Sequence, residues 1–184
     1  MKVKDAIEAR RSYRALGLVG ISDADVAELT KAAQLAPSCF NKQPWRFVFV
    51  REPGQMEKVR GAMSKGNEWT FKSSMFIVAC ARKEDDCVIK DREYYLFDLG
   101  IAVGQMLLRA TEMGLVAHPI AGYNPAKVRE ELKIPGQYQV VTIINVGKKT
   151  QSTEGLSEDQ VEAEKERPER KPANEFAFME WFLG

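Results

Sequence analysis

The sequence contains one histidine, three cysteines and no long hydrophobic run, and each of these shortages excludes a class of function. The single histidine, His118, cannot build a multi-histidine metal site. It lies in "LVAHPIAG", where a structural or ligand-flanking role is more common than general-base catalysis. Cys39, Cys80 and Cys87 are odd in number and form no C-x-x-C pair. We therefore expect a reduced, cytoplasmic protein with neither a disulfide framework nor a metal site.

Membrane and nucleic-acid functions also lack their usual sequence signals. The longest apolar segment, "LGIAVGQMLL", has about half the length needed to span a bilayer, and "MKVKDAIEARR" lacks the features of a signal peptide. The formal net charge is only +1, and no basic run is interleaved with aromatic residues. No strand is followed by G-x-G-x-x-G or G-x-x-x-x-G-K, which argues against a Rossmann or P-loop nucleotide site. We expect no membrane partner and no nucleic-acid partner.

The 184 residues, 45% of them hydrophobic and 29% charged, have the size and composition of one globular domain, residues 1–184. Ser22 and Pro37 bound a predicted helix, and residues 90–114 form the longest predicted helix. Predicted strands are "WRFVFV", the continuously apolar "SSMFIVACAR", "GLVAHPI" and "QYQVVTIINVG". This alternation predicts an α+β (α/β layered) fold, with a sheet covered by helices on both faces.

The C-terminal part of the chain, residues 147–184, changes character. Residues 147–172 are charged and almost free of large apolar side chains, so we expect an exposed arm or extended linker there. The following "ANEFAFMEWFLG" is rich in aromatic residues, which monomers avoid exposing together. These residues should dock on their own domain or on a second subunit, and the length of the arm favours the second subunit.

Three arginines and a serine fall within "RRSYR", residues 10–14. One interpretation is a solvated basic end of a helix, because cations complement the negative end of the helix dipole. The other is an anion site. Arg10 and Arg14 would share a helix face, and a like-charge pair at that spacing is unfavourable without a counter-anion. The arginine fork also suits phosphate. This segment alone does not decide between the two.

Four segments together favour the anion site over the solvated helix end. "RRSYR" (10–14), "PSCFNKQPW" (37–45), "PIAGYN" (119–124) and "RPERKP" (167–172) occur in this order. In these motifs and their spacing the chain resembles the nitroreductase family of flavoproteins over nearly its whole length. The resemblance implies a central, mostly antiparallel or mixed sheet and a homodimer whose C-terminal arms are exchanged. It also implies FMN at the dimer interface, NADH or NADPH as electron donor, and a small nitroaromatic, quinone or similar acceptor.

The resemblance also implies which residues contact the flavin. Arg10 and Arg170 would grip the phosphate, and Arg14 would lie at the pyrimidine edge, where a cation stabilises the negative charge of reduction. Residues 37–41 match a segment that comes from the other subunit, and residues 119–122 match a turn that presents a backbone N–H to the flavin N5. The implied contacts are Arg10, Arg11, Ser12, Arg14, Pro37, Ser38, Cys39, Asn41, Pro119, Ile120, Ala121, Gly122 and Arg170. No catalytic side chain is expected, since hydride passes between NAD(P)H, the flavin and the acceptor.

Several points stay open at this level. Cys39 is interpreted either as a small buried filler or as a redox-sensitive thiol beside the flavin. The sequence does not decide whether Asn67, Lys72 and Lys171 contact the flavin. Two alternative functions are a specialised flavin enzyme of the same fold, dehalogenase-like or flavin-consuming, and a flavin-binding protein without NAD(P)H turnover. The short segment "MSKGNEWTFKSS" leaves little room for a substrate lid and favours the simpler reductase.

Overall fold

A computed structural model describes residues 1–182. These residues form six α-helices, which are α1 (Val3–Ala9), α2 (Asp23–Gln34), α3 (Pro53–Arg60), α4 (Tyr95–Glu112), α5 (Pro125–Glu131) and α6 (Glu158–Lys165). They also form seven strands, which are β1 (Leu16–Gly17), β2 (Trp45–Val50), β3 (Met75–Ala81), β4 (Val88–Ile89), β5 (Arg92–Glu93), β6 (Val116–Ile120) and β7 (Gln139–Lys149). None of the helices within residues 1–182 is long and apolar enough to cross a bilayer.

The main sheet is organised around β7. One edge of β7 pairs with β3, and β3 pairs with β2. The other edge pairs with β6 and, beyond Gly147, with β1. Every pairing described for residues 1–182 is antiparallel. The predicted α+β architecture with a mostly antiparallel sheet is therefore confirmed.

Both faces of the sheet are covered, and β3 shows it most directly because all seven of its residues are buried. Its alternate side chains enter two separate cores, since successive residues of a strand point to opposite faces. Met75 and Ile77 pack with α2 and α4, whereas Phe76 and Val78 pack with α3 and α5. The continuous apolar run in the sequence predicted this double coverage.

The longest helix begins later than the sequence predicts. Residues 90–114 were expected to be helical, but α4 spans only Tyr95–Glu112. The residues before it form the β4–β5 hairpin, with Ile89 opposite Arg92. Lys90 has a φ of 60°, the left-handed conformation that a tight hairpin turn requires. A two-residue turn of Lys and Asp carries none of the glycine or asparagine that usually signals it.

Most of residues 147–172 are exposed, as predicted for an exposed arm, but they do not form an extended linker, because they include the end of β7 and helix α6. β7 continues to Lys149, and the Ser157 side chain caps α6 by accepting a hydrogen bond from the Gln160 backbone. The segment is fastened to its own domain by polar contacts. Lys72 Nζ donates to the Glu154 carbonyl (2.8 Å), and the Gln160 side chain donates to the Gly66 carbonyl (3.0 Å). Because hydrogen bonds rather than apolar burial hold the segment, its hydrophobic pattern does not report that it is folded.

The last described residues lie on the surface of the chain. Phe176, Met179, Trp181 and Phe182 are each at least 66% exposed. The Phe178 and Phe182 rings contact one another at 4.8 Å between centroids. Docking of this tail on a second subunit stays a prediction.

Candidate functional site

The two ends of the chain meet at a pocket of about 200 Å³. Helix α1 stops at Ala9, and Arg10 is already extended, with φ −60° and ψ 121°. Residues 10–14 therefore project from a loop, and Arg10 and Arg14 do not share a helix face. The pocket is lined by Arg10, Arg11, Ser12, Arg14, Ala163, Arg167, Pro168 and Arg170.

Two arginines join the walls of this pocket by binding to helix ends. The Arg167 guanidinium donates to the carbonyls of Glu8 (2.5 Å) and Arg10 (2.9 Å), where α1 ends. The Arg11 guanidinium donates to the carbonyls of Ala163 (3.0 Å) and Glu166 (2.7 Å), where α6 ends. The last carbonyls of a helix have no partner within the helix, and they attract cations. Each segment thus caps the helix of the other.

The pocket carries a large positive charge. Within residues 1–182, none of its five arginines forms an ion pair. Burial and the nearby charges of Arg167 and Arg170 lower the pKa of Arg10. The carboxylate beside the pocket, Glu164, accepts a hydrogen bond from the Arg14 backbone N–H (2.7 Å). Such a pocket suits a dianion.

A stack of side chains connects this pocket to the end of β6. The Arg14 guanidinium lies 5.9 Å from the centre of the Trp69 ring, which stacks on His118 at 4.7 Å. His118 Nδ1 lies 3.1 Å from the Tyr13 carbonyl oxygen. The arginine loop and the predicted turn at residues 119–122 are therefore neighbours in the folded chain.

Asn67 fixes the turn that follows β6. Its amide nitrogen donates to the Gly122 carbonyl (2.8 Å), and its amide oxygen accepts from Trp69 Nε1 (3.2 Å). A β-carbon on Gly122 would collide with this amide. Around it, Pro119 is half-buried, Ile120 is buried and Ala121 is exposed. Asn67, whose role the sequence left open, is thus a positioning residue for this turn.

The third predicted segment forms a tight loop, residues 38–43, that includes the 3₁₀ helix Cys39–Asn41. Phe40, Asn41 and Gln43 have φ values of 47°, 56° and 50°, a left-handed conformation that asparagine tolerates but that is strained for Phe40 and Gln43. Ser38 Oγ accepts a hydrogen bond from the Gln43 backbone N–H (3.0 Å). The Cys39 N–H donates to the buried Asp98 carboxylate (2.6 Å).

The expectation of a chain without a disulfide is wrong, because Cys39 is bonded to Cys87. Cys39 is therefore not a buried filler, and both cysteines are partly exposed. The free cysteine, Cys80, is buried in β3. The sequence gives no sign of the pairing, because it joins loops 48 residues apart.

The predicted site residues thus lie in two places within one chain. Residues 10–14, 119–122 and Arg170 lie on connected elements. No hydrogen bond or ion pair among residues 1–182 joins the 38–43 loop to them. The sequence does not decide whether Lys72 and Lys171 contact the flavin. In the structure Lys72 binds Glu154, and Lys171 pairs with Glu175 at 3.8 Å, so neither side chain lines the arginine pocket. Arg167 was missed, although it lies in the same "RPERKP" segment as Arg170.

Comparison with known proteins agrees with the motifs. A model of the nitroreductase family matches residues 7–68 and 63–148. The chain belongs to the nitroreductase family. This membership confirms the prediction of a nitroreductase-type oxidoreductase that the motifs carried.

Individual relatives of this nitroreductase-family protein cover most of its length. A protein of Archaeoglobus fulgidus, provisionally named NADH dehydrogenase/NAD(P)H nitroreductase, is 32% identical over 77% of this chain and 82% of its own. The oxygen-insensitive NADPH nitroreductase of Helicobacter pylori J99 is 28% identical over 70% of this chain and 78% of its own. A solved structure described as an oxidoreductase containing FMN has a TM-score of 0.86, is 26% identical, and covers 100% of this chain and 94% of its own.

We predict that His118 makes the stability of the protein depend on pH. Burial, with the charges of Arg14 and Arg10, lowers the pKa of His118 to about 4, against the hydrogen bond to Tyr13, which raises it. The unfolded chain protonates this histidine near its ordinary pKa, so stability falls as the pH drops from about 6.5 towards 4. Between about pH 7.5 and pH 5, the free energy of unfolding should fall by about 2 kcal/mol more in the wild type than in His118→Asn. Urea titrations measure this, and because His118 is the only histidine, equal losses would contradict the prediction.

We predict that Gly122→Ala displaces the Asn67 amide. Loss of its hydrogen bonds to Gly122 and Trp69 should lower the free energy of unfolding by about 1–2 kcal/mol. Gly136→Ala is the matched control, because a β-carbon there meets nothing within 4 Å. Thermal unfolding of the two variants gives the comparison, and the prediction fails if they are equally stable.

Proposed function

We propose that this protein is an FMN-dependent oxidoreductase that uses NADH or NADPH to reduce nitroaromatics, quinones or similar small acceptors. The observation that carries the proposal is the pocket where five arginines, from both ends of the chain, face one space without an ion-pair partner in residues 1–182. Family membership supports the reaction class, and the FMN named in the description of the solved structure supports the cofactor. The names of the Archaeoglobus and Helicobacter relatives support the electron donor.

The residues of the pocket fit a flavin mononucleotide by charge. Charge-assisted hydrogen bonds to a phosphate contribute about 1.5–3 kcal/mol each, so a few arginines suffice to hold it without a glycine-rich loop. Arg10 and Arg170 would hold the phosphate, with Ser12 beside Arg10 at 3.3 Å. Arg11 and Arg167 already bind helix carbonyls, so they contribute charge and hold the walls in place.

The rest of the site would position the ring. Bound FMN would supply hydride exchange between NAD(P)H and the acceptor, and this chain provides the electrostatic surroundings. Arg14 would stabilise negative charge at the pyrimidine edge. His118 is neutral near pH 7, because its pKa is lowered to about 4, so it does not add to the positive charge beneath that edge. Asn67 holds the 119–122 turn, whose backbone would face the reactive edge of the ring.

We further propose that the active form is a homodimer. The 38–43 loop has no hydrogen bonds to the arginine pocket within residues 1–182, so it would complete the site of the partner together with the preceding Pro37, contributing Ser38, Cys39 and Asn41. Phe40 projects from this loop and is 84% exposed. The aromatic residues of the tail, 176–182, are exposed as well, and a second subunit would cover both surfaces. Use of NAD(P)H fits a cytoplasmic location.

The reductase activity is tested by the colour of the purified protein. Bound oxidised FMN makes the solution yellow, and anaerobic addition of NADH or NADPH should bleach it, with colour returning when a quinone or nitroaromatic is added. If the solution remains yellow with both nucleotides, the reductase proposal is wrong and the protein binds flavin without turnover. A colourless protein that takes up no FMN would remove the cofactor as well.

We predict that Arg10→Ala and Arg170→Ala each raise the dissociation constant of FMN by roughly 10- to 100-fold, since each removes a charge-assisted contact to phosphate. The thermal stability of the flavin-free protein should change little, because neither side chain has an ion-pair partner within residues 1–182. Lys171→Ala is the control, because this neighbouring cation pairs with Glu175. Fluorescence titration of the flavin gives the constants, and wild-type affinity in both arginine variants would remove them from the phosphate site.

We predict that deletion of residues 174–184 yields monomers or aggregates. The deletion removes the exposed Phe176, Met179, Trp181 and Phe182, which we place in the dimer interface. Glu175→Gln, which leaves the aromatic residues in place, should remain dimeric. Light scattering after size exclusion gives the mass of each species. A well-behaved dimer after the deletion would exclude the docking of this tail on the partner subunit.

A further inference from the structure

The bonded pair Cys39 and Cys87 lies outside the arginine pocket. The two α-carbons are 6.0 Å apart, a separation at which the bond forms without displacing the backbone. Both cysteines are partly exposed in the single chain, where a reductant can reach them. Cys80 differs sharply, because its burial raises its pKa to about 12 and makes it unreactive.

The bond joins two surface loops rather than two parts of the core. Cys39 lies in the strained 38–43 loop. Cys87 lies at the base of the β4–β5 hairpin, where its carbonyl accepts from the Tyr94 N–H (3.1 Å) and where Val88 and Ile89 are exposed. Neither cysteine belongs to the buried clusters on the two faces of the sheet. Breaking the bond therefore removes the covalent link between the two loops and leaves the core intact.

Two carboxylates lie next to the bond and accept hydrogen bonds from the backbone of the two cysteines. Asp98 accepts the Cys39 N–H (2.6 Å), and Asp86 accepts the Cys87 N–H (2.7 Å). The second oxygen of Asp86 is buried and has no hydrogen-bond partner in the described chain. Burial and the nearby charge of Asp98 raise the pKa of Asp86.

We propose that Cys39 and Cys87 form a reversible redox site whose state controls the 38–43 loop, with a small or protein-borne dithiol as reductant. A thiolate of the dithiol attacks one sulfur, the S–S bond breaks as a mixed disulfide forms, and the other cysteine leaves as a thiolate and takes up a proton. The second thiol of the reductant then displaces the first cysteine. Two electrons and two protons pass to the pair, and the dithiol becomes a disulfide.

The proposed function gives this site a consequence. Disulfides in reducing compartments are usually transient and serve catalysis or redox sensing. The 38–43 loop is the part that would complete the partner's flavin site. The fraction of molecules in which this loop keeps its folded conformation therefore sets the fraction that can bind FMN. If reduction lowers that fraction to about one fifth, the apparent dissociation constant of FMN rises about fivefold. This consequence rests on the proposed function, whereas the redox site itself does not.

The redox site is tested without reference to the flavin. In air-oxidised protein, peptide mapping under non-reducing conditions should show the Cys39–Cys87 link, with only Cys80 alkylated after denaturation. Dithiothreitol should then expose all three thiols in the sequence. Amide hydrogen exchange in residues 38–43 should speed up at least about fivefold, while exchange in β3 stays unchanged.

Variants separate the site from general effects of the reductant. Cys87→Ser should show the fast exchange without dithiothreitol and no further response to it, whereas Cys80→Ala should respond like the wild type. Three free thiols with stoichiometric zinc in the oxidised protein would overturn the proposal in favour of a metal site formed with Asp86. An amide exchange rate in residues 38–43 that does not change on reduction would also overturn the proposal.

Measurements of FMN affinity then test whether the redox state of the cysteine pair controls flavin binding. The dissociation constant of FMN should rise about fivefold in reduced wild type and in Cys87→Ser. Loop exchange that responds to reduction while FMN affinity does not would overturn the control of flavin binding and keep the redox site. A protein that binds no FMN in either state would instead overturn the proposed function.

Discussion

The arginine pocket depends on an exchange of cations between two helix ends. Gathering five guanidinium groups around about 200 Å³ is unfavourable by itself, because like charges at short range repel. The carbonyls at the ends of α1 and α6 offset this by accepting hydrogen bonds from Arg167 and Arg11. The same bonds fasten the C-terminal segment to the N-terminal loop. Arg10, Arg14 and Arg170 line the same pocket and form no ion pair within residues 1–182.

The rest of the molecule supplies a rigid support for three irregular segments. Strand β7 joins β3 on one edge to β6 and β1 on the other, and β3 is buried on both faces. The 10–14 loop, the 38–43 loop and the 119–122 turn all leave this framework at its periphery. Loops on a rigid scaffold are where binding residues usually lie. Here the scaffold fixes two of the segments near one another, and the third is tied to α4 through Asp98.

The errors of sequence interpretation share a physical cause. The strand β2 and the buried β3 were predicted correctly, because burial on one face or on both leaves a direct mark on the pattern of apolar residues. The sequence pattern does not predict helix α6 within residues 147–172, because hydrogen bonds to carbonyls, such as that of Gln160 to Gly66, leave no such mark. The pairing of Cys39 with Cys87 depends on a distance in space that no local pattern encodes.

By itself, the amino-acid sequence determined the layered α+β fold and the family, since both follow from apolar periodicity and from ordered polar motifs. It also supplied the arginines at either end of the chain. Only the tertiary structure decided that Arg167 joins them, that Asn67 holds Gly122, and that Cys39 meets Cys87. These contacts join residues far apart along the chain, and their formation depends on how the helices and the sheet pack, which a local pattern of residues does not contain.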